Sequence, residues 1–234
     1  MNQLNRNSTA ESLAPSGANS VWLVWRFMHC LTIAVILIAI PGSSASQIIR
    51  TLPLPEGRPA LEFVGQFINS GASSQQFGYL VRIEGLGLND MFSSSTTPNE
   101  TTAFFTFFTQ ATTLRTIVNG PLRIIERTGT TTIYFNSTPA GDFANPSSFQ
   151  SGTPIQVSDY QQQVVFDTTT GVFTTVHLNT ITLVETFDLA GRSLRLGHLG
   201  KAYRTNYLGH VNAPGMTPSG WFGGYAVGVA RGKD

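Results

Sequence analysis

One cysteine in 234 residues, and that one at position 30, leaves almost the whole chain without thiol chemistry. Past residue 45 there is none, so that stretch has no disulfide, no thiolate nucleophile and no cysteine-ligated metal. Its stability has to come from burial, which a domain of this size supports. Charge is scarce too. Asp, Glu, Lys and Arg make up 12% of the residues, and 14 basic against 13 acidic side chains give a net charge of +1. No basic field is available for a phosphate backbone, and nucleic acid is set aside as a partner. Catalytic signatures are also missing. There is no G-x-S-x-G elbow and no H-E-x-x-H helix. The glycines of "EGLGLND" (84–90) lie between strand-like segments with no helix N-terminus to hold phosphate, so no nucleotide and no cofactor is expected.

What is present is 41% hydrophobic side chains, 23 glycines and a polarity carried mostly by Ser and Thr. That is the composition of a packed β protein with uncharged polar faces. The N-terminal stretch stands apart. "VWLVWRFMHCLTIAVILIAI" (21–40) is apolar but interrupted by Arg26, whose insertion at mid-membrane costs about 2.5–3.5 kcal/mol. The uninterrupted run from Phe27 to Ile40 is too short to span a bilayer and suits a signal-peptide core. Pro41 and Gly42 break it, and Ser43 and Ala45 place small residues at −3 and −1 of a cut after Ala45. Residues 1–45 therefore read as a secretory signal peptide, with an uncleaved N-terminal membrane anchor as the alternative. Secretion or a periplasmic, cell-envelope location follows. "TLPLPEGRP" falls in a segment, 46–59, that reads as an extended linker, and 60–234 as a single domain with a Gly-rich C-terminal tail.

No helical period is convincing after residue 45, whereas period-two stretches recur. "LEFVGQF" puts Leu61, Phe63 and Phe67 on one face; "QFGYLVRIEG" puts Phe77, Tyr79, Val81 and Ile83 on one and Gln76, Arg82 and Glu84 on the other. "RTGT" around Gly129 reads as a hairpin turn, "DTTTG" and "DLAG" as further turns, and 136–154 as a long loop. The strand after "DTTTG" shifts phase, which a bulge near Asn179 and Thr180 would reconcile. Roughly eight to ten strands with short turns predict an all-β fold, a single closed antiparallel barrel of about eight strands or, alternatively, a two-sheet sandwich.

"AFFTFF" (103–108) is apolar on both faces. With Phe105 and Phe107 inward, Phe104 and Phe108 face outward and need a cover: the 136–154 loop or the tail with Trp221, Phe222 and Tyr225, a second copy of the chain, or lipid. A homo-oligomer through the Phe104/Phe108 face is one expectation. The order "AFFTFF…TIVNGPLRIIERTGTTTIYF" (103–135) resembles the central hairpins of the allene-oxide-cyclase and dirigent-like barrels, where an aromatic-rich strand leads through a "GP" turn into short Thr- and Tyr-bearing strands. The resemblance implies an eight-stranded barrel, often oligomeric, with an apolar cavity holding a hydrophobic small molecule. It places none of that family's functional residues on positions of this chain.

Candidate ligand-binding residues are Phe77, Tyr79, Phe105, Phe107 and Tyr134, with Arg115 and Arg123 able to grip an anionic head if they face inward. His198 and His210 sit in echoed contexts, "LGHLG" and "LGHVN"; as arms of one hairpin they could share a metal with His177 or Asp188. No spacing motif supports that site, and His177, between Val176 and Leu178, reads as facing the polar side. The carboxylates Glu62, Glu84, Asp90, Glu126, Asp167 and Glu185 are scattered, and no acid–base pair can be chosen among them. The expectation is a barrel that binds an apolar small molecule or serves as an oligomeric surface module. Its alternatives are a cyclase- or isomerase-type enzyme, which works by holding a flexible substrate, and a structural envelope domain with a solid core.

Overall fold

A computed structural model describes residues 48–230; the signal or anchor reading of 1–45, with Cys30, lies outside the described residues. Eight strands close a barrel: β2 (Leu61–Ser70), β3 (Ser73–Ile83), β4 (Phe105–Asn119), β5 (Leu122–Phe135), β6 (Thr153–Asp167), β7 (Val172–Val184), β10 (Ala202–Val211) and β11 (Gly220–Gly228). All neighbours in the barrel are antiparallel, and β7 and β10 seal the circle. The fold expected from period-two patterning is thus an all-β closed barrel of eight strands, not a sandwich. Closure leaves no barrel edge unpaired, which a chain with so few guarding charges needs.

Three shorter strands, β1 (Arg50–Leu52), β8 (Thr186–Leu189) and β9 (Arg192–Leu196), form a separate sheet in the order β1-β9-β8. That sheet plugs one end. Leu52, Phe187, Leu194 and Leu196 bury against Phe105, Ile155 and Ile181 from the adjoining strand ends. The described part of the 46–59 segment, from residue 48, pairs with the rest of the fold and is not a free linker. β1 pairs in parallel with β9, and Gly228 donates a backbone hydrogen bond to Pro55. Nor is the Gly-rich C-terminus a tail; as β11 it lies between β10 and β2.

Gly129 is not at a turn either. β5 runs straight through it, paired to Ala111 on one side and Tyr160 on the other. A Cβ there would collide with the Gln110 carbonyl and stand 2.8 Å from the Tyr160 hydroxyl. Glycine is required by close approach of neighbouring strands rather than by a bend. The actual hairpin is at Gly120, whose positive φ of 58° a side chain would strain.

The expected phase break in β7 is displaced. Phe173, Thr175, His177, Asn179 and Ile181 alternate inward without interruption, and the irregularity lies at Thr182, where Val157 pairs with Leu183 but Ser158 pairs with Ile181. The apolar parity of the first half, Val176 and Leu178, is the exposed one, at 41% and 45%.

The phenylalanine strand is apolar on both faces because both faces are covered by the chain itself. Phe105 and Phe107 point inward, as alternation predicts. Phe108, 6% exposed, packs outside the barrel with Phe77 and Phe149. Phe149 belongs to a 3-10 turn (Pro146–Gln150) in the long loop, and its carbonyl accepts a hydrogen bond from Thr106 Oγ1 at 2.8 Å. Phe143 of the same loop reaches Trp221, ring centres 6.1 Å apart. Phe104 leans on Phe135, and both join the plugged-end core.

Candidate functional site

The barrel interior is not uniformly apolar. At mid-height, Gln76 from β3, Gln162 from β6, His177 from β7 and Tyr207 from β10 converge. The Tyr207 hydroxyl donates to Gln76 Oε1 at 3.0 Å, accepts from Gln162 Nε2 at 2.9 Å and lies 3.0 Å from His177 Nε2. With its single proton given to Gln76, Tyr207 can only accept from the imidazole, so His177 carries its proton on Nε2. The His177 ring stacks on Tyr160 with centres 4.4 Å apart and 7° between planes. Burial, helped by the Arg127 charge, pushes the His177 pKa down to about 3, so it is neutral at ordinary pH. Burial drives the Tyr160 and Tyr207 hydroxyls up, and Tyr203 to about 12. The Tyr160 hydroxyl and Gln162 Oε1 have no partner among the described residues.

This polar belt divides the interior in two. Toward the plug lies a cavity of about 40 Å³ lined by Leu61, Phe63, Leu80, Phe107, Ile133 and Tyr203, among others. That is room for little more than a water molecule. Toward the opposite end, among the turn-proximal ends of the strands, is a half-open chamber of about 130 Å³. Phe67, Ile125, Val164, Phe166, Phe173, Val211 and Phe222 are its apolar lining, and Asn69, Gln76, Arg127, Gln162, Thr175 and Tyr207 are its polar groups.

Arg127 is the arginine that reaches the interior. Its Nε donates to Thr113 Oγ1 at 3.2 Å and its Nη2 to Asn69 Oδ1 at 3.4 Å. Burial pulls its pKa below the usual guanidinium value, though not far enough to discharge it. The ion pairs among the described residues are Arg58–Glu84, Arg82 with Glu62 and Glu84, Arg115–Glu126 and Arg192–Asp90. None of them involves Arg127.

The candidates chosen from sequence are dispersed by this arrangement. Phe107 lines the deep cavity. Phe105 lies in the plugged-end core against Phe135 and Phe187. Phe77, Tyr79 and Tyr134 are on the outer face, in or against the cluster under the long loop. β3 sends Gln76 and Leu80 inward instead, because the loop supplies a second apolar environment outside. Arg115 is exposed and held by a two-point pair to Glu126, at 2.7 and 2.8 Å. Arg123 bonds the turn carbonyls of Gly120 and Leu122. A bulge at Leu114 shifts the register, so Thr113 still pairs with Arg127 while Arg115 pairs with Glu126; Arg115 is thereby turned out and Arg127 is the arginine left facing in.

His177 is inside, not on the polar outer face. His198, exposed, precedes β10, and His210, also exposed, is near its far end, so they are not arms of one hairpin. Asp188 lies in β8 of the plug sheet, where it accepts from the Gly191 backbone. Among the described residues no three metal-ligating side chains come together. No helix among them is long and apolar enough to cross a membrane.

Together these features define a class: an antiparallel eight-stranded barrel, plugged at one end by a three-stranded sheet, with a small apolar chamber at the other and a polar belt as its floor. Comparison of the chain with known protein families, with curated proteins and with solved structures yields no match.

Proposed function

We propose that the protein binds an apolar small molecule in the chamber at the unplugged end of the barrel, and that it does so outside the cytoplasm. One observation carries the binding reading. The plugged half of the interior is filled to within about 40 Å³, whereas the other half keeps a half-open space of about 130 Å³ behind a ring of phenylalanines. Interiors pack to near-crystalline density, so an apolar space of this size is a departure that a ligand explains. An engineered apolar cavity of similar volume, about 150 Å³, takes up benzene in another protein. The ligand body is therefore about the size of one ring, much smaller than a long-chain lipid. The location rests on the apolar run 27–40 and the small residues Ser43 and Ala45.

Titration of the protein with benzene and toluene, followed by two-dimensional amide NMR, tests the binding reading. Shifts centred on Phe67, Phe173 and Val211 are expected; unperturbed spectra at millimolar ligand would refute it.

A cyclase- or isomerase-type activity is the second reading. It is favoured by the chamber floor, where Tyr207 faces the space and its hydroxyl lies 3.0 Å from Nε2 of a neutral His177 behind it. Such catalysis by confinement needs few polar groups. If it is right, Tyr207→Phe abolishes turnover of any substrate found while leaving its binding nearly intact; equal turnover would remove the idea.

A further inference from the structure

The chamber carries a feature that a receptor for plain hydrocarbon does not need. Arg127 extends from β5 into it beside Phe67, Phe166 and Phe173, with no carboxylate at salt-bridge distance among the described residues. A guanidinium has five donors. Thr113 and Asn69 accept from two of its nitrogens, at 3.2 and 3.4 Å, and both are neutral oxygens that compensate no charge. Taking a cation out of water without a counter-charge is costly, and the arginines that are paired with a carboxylate, Arg58, Arg82, Arg115 and Arg192, sit on the surface or half-exposed. Arg127, by contrast, lines the cavity with no such partner among the described residues.

We propose that the ligand is a monocarboxylate with a ring-sized apolar body, its carboxylate on Arg127 and its body among Phe67, Phe173 and Phe222. This rests on the chamber being a binding site, and adds the head group. A planar guanidinium matches a carboxylate with two parallel hydrogen bonds, and such charge-assisted bonds are the strong ones in a half-desolvated setting. The body matches the volume, about 130 Å³, and rings of the wall offer edges and faces to an aromatic group. An acidic macromolecule is not accommodated, since the cation lies within a chamber of one-ring size rather than on an open patch.

The test compares 3-phenylpropanoate with its neutral isostere 3-phenylpropanamide on the full chain at pH 7, by calorimetric titration and by thermal shift. The acid is expected to bind about ten- to hundredfold more tightly, the ratio for a hydrogen bond to a charged group. In Arg127→Gln that ratio falls toward one while amide binding persists, which also shows that the variant is folded; Arg127→Lys keeps part of the preference. Equal affinities for acid and amide in the unaltered protein would overturn the head-group assignment and leave the chamber as an apolar site. Binding of neither compound, nor of benzene, would overturn both. The comparison on the unaltered chain decides the matter even if Arg127→Gln does not fold.

Discussion

His177 is a buried titratable group whose charge state differs between the folded and unfolded chain near neutral pH, and stability should report it. The folded protein holds the imidazole neutral, with its pKa pushed down to about 3 from the ordinary 6.5, chiefly by burial. Between those values the unfolded chain binds a proton that the folded chain does not. The contribution is complete above pH 6.5 and is lost as pH falls below it, at about 1.4 kcal/mol per pH unit for one proton. Urea denaturation from pH 7 to pH 5, above the carboxylate range, should show this slope, and His177→Gln should flatten it; an unchanged slope would contradict the burial. Gly129 makes a second residue-scale case. Gly129→Ala drives a methyl group into the Gln110 backbone oxygen and the Tyr160 hydroxyl. A loss of about 2 kcal/mol or more in the same assay is expected, the range for overpacking a tight site. These two positions also show where sequence is blind. A histidine between two aliphatics reads as the polar member of an alternation, and a glycine among threonines reads as a turn. Both readings assume that the inside is apolar and that strands keep ordinary separations. Neither holds near Tyr207.

At the scale of elements, the long loop acts as an outer layer rather than as a connection. Phe149, fully buried, stacks its loop onto Phe77 and Phe108, with ring centres 5.5 Å apart for the first pair. Phe149→Ala should cost about 3–5 kcal/mol and speed amide exchange across 136–152 and the adjoining face of β3. Exchange confined to the loop, with stability unchanged, would show that the loop is only loosely laid on. Strand content, the Phe105/Phe107 inward parity and the turns at "DTTTG" and "DLAG" were legible because local alternation and turn chemistry determine them. The need for a cover over Phe108 was legible too. The 136–154 loop stood among the candidate covers, and it is the one that packs there; that Phe77 and Tyr79 share that cover was not legible, because alternation put them on one face with Ile83, which the chain buries in the main core. The arginine facing in was hidden for a related reason. Arg115, Arg123 and Arg127 look alike in sequence, but the extra residue at Leu114 turns Arg115 outward, Arg123 is drawn to the turn carbonyls, and Arg127 keeps the inward alternation of β5.

For the whole molecule, the barrel and its plug form one cooperative body in which the first strand is no accessory. β1 has three residues, yet Leu52 is fully buried and Gly197 donates its backbone N–H to the Leu52 carbonyl at 3.0 Å. The plug sheet reaches the barrel through side chains and the 184–186 and 197–202 connections, so its central strand β9 depends on β1 for half of its backbone pairing. Relative to a chain beginning at residue 48, which keeps β1, one beginning at Pro53 should therefore lose at least about 3 kcal/mol, the lower part of the range for emptying a fully buried leucine site plus a strand pairing. The loss should extend to exchange protection at Phe105, Ile155 and Ile181, which abut the plug, more than at Phe67 and Phe173 at the far end. If both truncated chains matched in denaturation midpoint, 46–59 would be the passive linker its prolines suggest, and the closed end would owe its stability to β8 and β9 alone. The far chamber provides an internal control. Its walls are contributed by β2, β3, β5, β6, β7, β10 and β11, none of which pairs with β1. Ligand uptake there should survive removal of the first strand at temperatures where the shortened barrel is still folded.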